Sequence, residues 1–272
     1  MTVAKEVTVN KKVERKQKKR KLKSSFLLKT GVLGWLLILL VWTIVSYFSD
    51  PLFLPSPLAT LKGAIEIASD GSLFIYMGYS FARVLVGWAL GLIIAVPIGL
   101  LMGTSKWVRS IAEPIMNFVR FIPPLAFITL FMLWFGIGEQ SKVFLIVYAT
   151  FFVITINTFA GVLSISEDKI RSAKIMGATK FQTLIHVIIP ATIPYIFTGA
   201  KLAMGSSFMA IIGAEMVAAK EGIGFMIWNA RLYFKTEWIF VGLVVLGLMG
   251  YFMDRLFTFI GRKFLARYKV VS

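Results

Sequence analysis

The apolar positions of this chain gather into six runs with few or no charges, set apart by short polar stretches. Crossing a hydrocarbon core of about 30 Å takes about 20 helical residues. The pattern therefore predicts an all-α, polytopic membrane protein with six spans. Gly31 to Ser49, uncharged and rich in Leu, Ile and Trp, is the first. DPLFLPSPLAT follows, and its three prolines forbid a continuing helix. Ser56 and Pro57 read as an N-cap and first-turn proline opening an amphipathic helix. That helix is too short and too charged to span and is placed on the outer surface. Leu73 to Thr104 reads as one long helix, the second span. Its Gly87, Gly91, Gly99 and Gly103 include two pairs at four-residue spacing, which lets helices approach closely in lipid.

SKWVRSIAEP reads as an inner loop. The third span, IMNFVRFIPPLAFITLFMLWFGIG, is interrupted by Pro123 and Pro124. A double proline leaves backbone carbonyls unpaired, which is tolerated where protein or water covers them. A simple kink and a break lining a pathway both satisfy that condition. Glu139 to Lys142 is predicted as a short outer turn, and Val143 to Ser166 as the fourth span. The fifth runs from Val187 to Ala219, with Pro190 and Pro194 at its inner end. KEGIGFMIWNARLYFKTE reads as an outer segment suited to the membrane interface. Trp238 to Met253 begins the sixth span.

Between spans four and five lies a polar segment, Ser166 to Pro190, with four cations and two acids. It reads as helix, turn, helix. Glu167 and Asp168 favour a helix start, Ile170, Ala173 and Gly177 share one face, and Gly177 is the predicted stop. A second helix begins near Thr179, with Pro190 bending its approach to the next span. A short helix with a small-residue face, held between two spans, suits docking into a groove on another protein.

Charge adds orientation. The chain has 30 basic and 13 acidic residues, a net charge of +17, 58% hydrophobic residues and a mean hydropathy of +0.80. Eleven cations lie in residues 1–30, three in 104–120, four in 164–190 and five from Arg255 onward. Only seven of the 30 fall elsewhere, which predicts both termini and the 166–190 loop on the cytoplasmic side. Residues 1–28 form a basic tail, expected to be disordered and to touch anionic lipid; residues 29–272 form the membrane domain. No aromatic residues interleave the tail cations, which argues against a nucleic-acid arm. The long basic region also lacks a signal-peptide cleavage site.

Enzymatic options are thin. Cysteine is absent and His186 is the only histidine, so clusters of His or Cys able to hold a metal, and Ser–His relays, are not expected. No Gly-Lys dipeptide occurs, hence no phosphate-binding loop of the G-x-x-x-x-G-K-[ST] kind. Any nucleotide hydrolysis must come from another chain, and no cofactor is implied. Three charges lie in or near the spans: Arg83, Lys201 and Glu215. Buried charges of this kind are expensive and face the bundle interior or an interface. Arg83 and Glu215 fall at similar depth, so they either pair or flank a translocation route. If pairing is their main role, exchanging the two charges should restore transport. Lys201 is open between a pore-facing and a packed position.

The pattern RSAKIMG followed by VIIP resembles the EAA loop of the membrane subunits of bacterial ABC importers. There the pattern runs E-A-A, three residues, Gly, nine residues, I-x-L-P. Ala173, Gly177 and Pro190 match outright; Arg171 stands in the acidic place and Ser172 in that of the first alanine. LPSP, IPPLAFITLFMLWFGIGEQSK, GAEM and GIGFMIWNA extend the resemblance over about residues 30 to 265, toward the branch importing sulfonates, taurine, nitrate or bicarbonate. The resemblance implies a type I importer-like fold in the bacterial plasma membrane. It implies two permease copies, often a homodimer, two cytosolic ATPases docked on the loop helices, and an external binding protein that delivers substrate. On this reading Arg171, Ser172, Ala173, Gly177 and Pro190 belong to the ATPase-coupling loop. Arg83, Pro123, Pro124, Lys201 and Glu215 are candidates for the path. A thiamine-precursor-like cargo, a passive channel and a membrane enzyme are the alternatives.

Overall fold

The computed structural model describes residues 31–265, and no strand occurs among them. The basic tail of residues 1–28 and the last cations, Arg267 and Lys269, lie outside the described residues. The chain separates into two units, up to Lys62 and from Gly63.

In the first unit, α1 spans Val32–Phe48. At 17 residues it sits at the short end of the range for a span. The Trp42 indole donates to the Pro55 carbonyl at 3.0 Å, fastening the proline-rich turn back to this helix. Ser56 caps the next helix, α2 (Pro57–Ser69), by accepting from the Ala59 N–H at 3.1 Å.

The second unit is built on α3 (Ser72–Thr104), α6 (Glu139–Leu163), α9 (Ile189–Ala218) and α11 (Thr236–Leu265), each long and apolar enough to cross a membrane. Asp70, ahead of α3, accepts from the Ser72 N–H at 2.8 Å, which holds its carboxyl below the usual carboxylate range. α4 (Lys106–Val119) and α5 (Ile128–Phe135), with a 3-10 turn at Pro124–Phe127, make the third predicted span. It is sharply broken, bent by 92°. Pro123 and Pro124 cannot donate to the carbonyls behind them, and the Tyr148 hydroxyl of α6 supplies the cover by approaching those of Val119 and Ile122 at 2.9 and 3.1 Å.

Close packing of α3 on α6 follows from the glycines. A Cβ at Gly87 would meet Ile146, at Gly91 Thr150, at Gly99 Thr158 and at Gly103 Val162. One small residue per approximate turn pair thus sets a continuous seam. Gly91→Ala is expected to lower the stability of the detergent-solubilised protein by about 1–3 kcal/mol, through overlap with Thr150. Gly78→Ala, in the same helix with nothing within 4 Å, should leave it unchanged or slightly raised. Thermal unfolding of the two variants checks the contrast.

Residues 220–235 contain a helix, α10 (Ile223–Leu232), with one face packed into the bundle: Ile223, Gly224, Met226, Ile227 and Ala230 are buried, and the helix packs on α9 and α11. Its apolar residues recur at helical spacing, and Gly224 permits contact with the Ile212 carbonyl side of α9.

Candidate functional site

Two sites emerge from this framework. The first is the loop between α6 and α9. α7 (Glu167–Ile175) begins with Glu167 and Asp168 in its first turn and Lys174 in its last, matching the helix dipole at both ends. It ends at Gly177, whose φ of +82° is the left-handed conformation open to glycine. The Ala178 N–H reaches the Ala173 carbonyl at 3.0 Å and the Gly177 N–H that of Lys174 at 2.9 Å, a Schellman termination. Thr179 and Gln182 then form a reciprocal capping box for α8 (Lys180–Thr183). Both turns are thus locally determined, and the loop has a defined shape.

Within it, Ala173 is buried and Ile170 half-buried, while Arg171 and Ser172 are exposed. Arg171 pairs with Glu167 one turn back at 2.8 Å, both in water. Three apolar side chains stand out from this polar segment: Ile175, Met176 and Phe181, at 85%, 80% and 69% exposure. Helical structure continues through Pro190. A π turn at Leu184–Ile188, with the Ile189 N–H bonded to the Leu184 carbonyl, widens the helix ahead of Pro190, and one helical run continues from Lys180 to Ala218. Lacking an N–H, Pro190 cannot make the regular bond, and the wider turn makes room for its ring.

The second site is a charged cluster at the start of α6 and the end of α9. Arg83 (5% exposed) reaches Glu215 (0%) at 2.7 Å. Its other nitrogens bind Glu139 in a two-pronged contact of 2.6 and 2.8 Å, and it also donates to the Glu221 carbonyl at 2.6 Å. Glu139 pairs in turn with Lys142 at 2.7 Å. The Glu215 carboxylate accepts from the Ser80 hydroxyl at 2.8 Å and from the Gly224 N–H at 2.9 Å. Ser80 Oγ itself accepts from the Ile223 N–H at 2.8 Å. The N-terminus of α10 therefore points at the carboxylate, the favourable end of its dipole. Gly222, at φ +123°, lies against that carboxylate, and a side chain there would overlap it. Two cations and two anions balance, and α3, α6, α9 and α10 are tied at one point.

The sequence put Arg83 and Glu215 at similar depth, with pairing as one of two readings, and gave no place in the cluster to Glu139, Lys142, Ser80 and Gly224. Glu139 and Lys142, three residues apart at the head of a span, looked like a turn; they are its first turn. Ser80 and Arg83 share one helix face, which was the available signal. Lys201 lies elsewhere, paired with Asp254 at 2.9 Å and Thr258 at 3.0 Å between α9 and α11. Pro123 and Pro124 line a separate cavity of about 580 Å³ bounded by α6 and α9.

Long apolar helices, a structured polar loop and a partly buried charge network are the build of a multi-span membrane protein. The profile of the family described as "Binding-protein-dependent transport system inner membrane component" matches residues 95–267, and the chain belongs to that family. It is therefore the permease component of an ABC importer, an inner-membrane protein. It is 37% identical over 226 residues to a probable ABC transporter permease of Brucella melitensis, covering 83% of this chain and 89% of that one. It is 34% identical over 230 residues to the taurine transport system permease of Escherichia coli K12, covering 82% and 84%. Its fold resembles a chain of the inward-facing MetNI methionine ABC transporter, with a TM-score of 0.60 at 21% identity over 68% of this chain and 92% of that chain.

Proposed function

We propose that this chain carries a small anion across the membrane in an ATP-driven importer, with a taurine-like or other small sulfonate, nitrate or a similar anion as cargo. Separate cytosolic ATPase subunits dock on the 166–190 loop, an external binding protein delivers the cargo, and a second copy of the chain completes the pathway. Both termini face the cytosol, and Arg171, Ser172, Ala173, Gly177 and Pro190 belong to the docking element.

The observation that carries this reading is the exposure of Ile175, Met176 and Phe181 on a helix–turn–helix held rigid by its own caps. Burying such side chains against a partner yields about 1.5–3 kcal/mol each. Resemblance to a taurine permease supports the cargo class.

Because the chain has no cysteine, Ser172→Cys provides a single reporter. An impermeant maleimide should leave it unlabelled in intact cells and label it in inverted membranes; labelling from outside would reverse the orientation and remove the docking role. Deleting the chain should abolish uptake of labelled taurine or nitrate, whichever is the cargo, and an ATPase should copurify with the solubilised protein. Unchanged uptake of all such anions would refute the cargo.

A further inference from the structure

The cavity beside the double proline has a chemical character of its own. Arg120 sits at its lip, just past the end of α4, where the chain turns into Pro123 and Pro124. Arg120 is exposed, and its guanidinium makes no ion pair or side-chain hydrogen bond with any described residue. It lies 4.9 Å from the Phe121 ring centroid. The Ser206 hydroxyl, on the α9 wall, likewise makes no hydrogen bond to a described residue. The Tyr148 hydroxyl is engaged with the carbonyls of Val119 and Ile122. No acidic side chain lines the cavity, and Phe121, Phe152 and Met209 make its walls apolar.

The two cations that the sequence placed in or near the spans have acidic partners: Arg83 has Glu215 and Glu139, and Lys201 has Asp254. Arg120 differs. A free guanidinium presents a fork of donors that fits an oxyanion with two parallel hydrogen bonds. One cation, one hydroxyl donor, apolar walls and a volume within the range of small-molecule sites select a ligand with an anionic head and a short apolar tail.

We infer that this cavity is a binding site for a small organic sulfonate or a comparable oxyanion, with Arg120 holding the anionic head, Ser206 donating to it, and Phe152 and Met209 covering the tail. The site rests on the transport reading only for its place along a pathway; the binding itself follows from the cavity. The chain then discriminates by charge within the membrane domain, after delivery.

The test is equilibrium binding of radiolabelled ethanesulfonate to the purified full chain in lipid nanodiscs. Wild type should bind saturably at micromolar to millimolar concentration, with nitrate and sulfate competing and choline not competing. Arg120→Gln should weaken binding at least about tenfold, the size of a lost charge-assisted hydrogen bond. Arg120→Lys, which keeps the charge without the fork, should fall between. Because Arg120 makes no ion pair, both variants should unfold at the wild-type temperature. Equal affinity in wild type and Arg120→Gln, absence of saturable wild-type binding, or equal competition by choline would each overturn the site. Anion uptake in a strain lacking the chain is scored separately: unchanged uptake removes the transport reading and leaves the binding result standing.

Discussion

Arg83→Ala is expected to damage the protein more than removal of either carboxylate it binds. Without the guanidinium, Glu215 remains a fully buried carboxylate with only the Ser80 hydroxyl and the Gly224 N–H for partners, while Glu139 keeps Lys142. Breaking a buried pair in this way costs about 3–5 kcal/mol. Glu215→Ala should cost less, because Arg83 retains both prongs to Glu139. Glu215→Gln, which preserves the acceptor for Gly224, should cost least. Thermal unfolding in detergent should show the order, with a drop on the order of 10 °C for Arg83→Ala. Equal losses for Arg83→Ala and Glu215→Ala would mean that the network does not share charge as described.

The geometry also changes the expectation for exchanging the two charges. Glu at position 83 would face the Glu139 carboxylate and the Glu221 carbonyl, both acceptors. Arg at position 215 would face the Ser80 hydroxyl and the Gly224 N–H, both donors in this arrangement. The double exchange should therefore fail to restore transport although the two residues do pair. Two charges alone suggested a symmetric pair; the surrounding dipoles make the site polar in one direction only.

Gly177→Val should leave membrane insertion intact and lower transport on the order of tenfold. The position has φ +82° and no atom within 4 Å of an added Cβ, so the penalty is backbone conformation, not crowding. That penalty is about 1–2 kcal/mol for an L-residue, and 1.4 kcal/mol is a tenfold change in a two-state population. The Schellman turn would open and the angle between α7 and α8 would change, moving Ile175 and Phe181 apart. Gly177→Asn, which tolerates the left-handed region, should stay near wild type. Uptake assays with matched membrane levels decide it; wild-type uptake in Gly177→Val would remove the coupling role of the turn.

Much of this was legible along the chain because the forces involved are local or one-dimensional. The length of each apolar run set the spans, Gly177 and Thr179 marked a helix end and a helix start, and the four glycines of α3 announced a close seam. Caps and turns involve residues two to five apart, and hydropathy needs only a window. The double proline announced a break but not its 92° angle or the Tyr148 hydroxyl that covers it. Pro190 announced a local irregularity at the entry to the fifth span but not the π turn that precedes it.

What the sequence by itself determined was the helical membrane class, the position of the four long apolar helices and of the broken pair, and the internal shape of the 166–190 loop. Tertiary structure alone decided which charges meet: Ser80 and Glu215 are 135 residues apart, and Arg83 and Glu139 are 56 apart. It likewise packed one face of the 223–232 helix against α9 and α11 and left Arg120 beside a cavity without an acidic neighbour. Local propensity depends on neighbours in the chain, whereas the cost of burying a charge depends on whatever the fold brings within about 3 Å, and no window along the sequence contains that information.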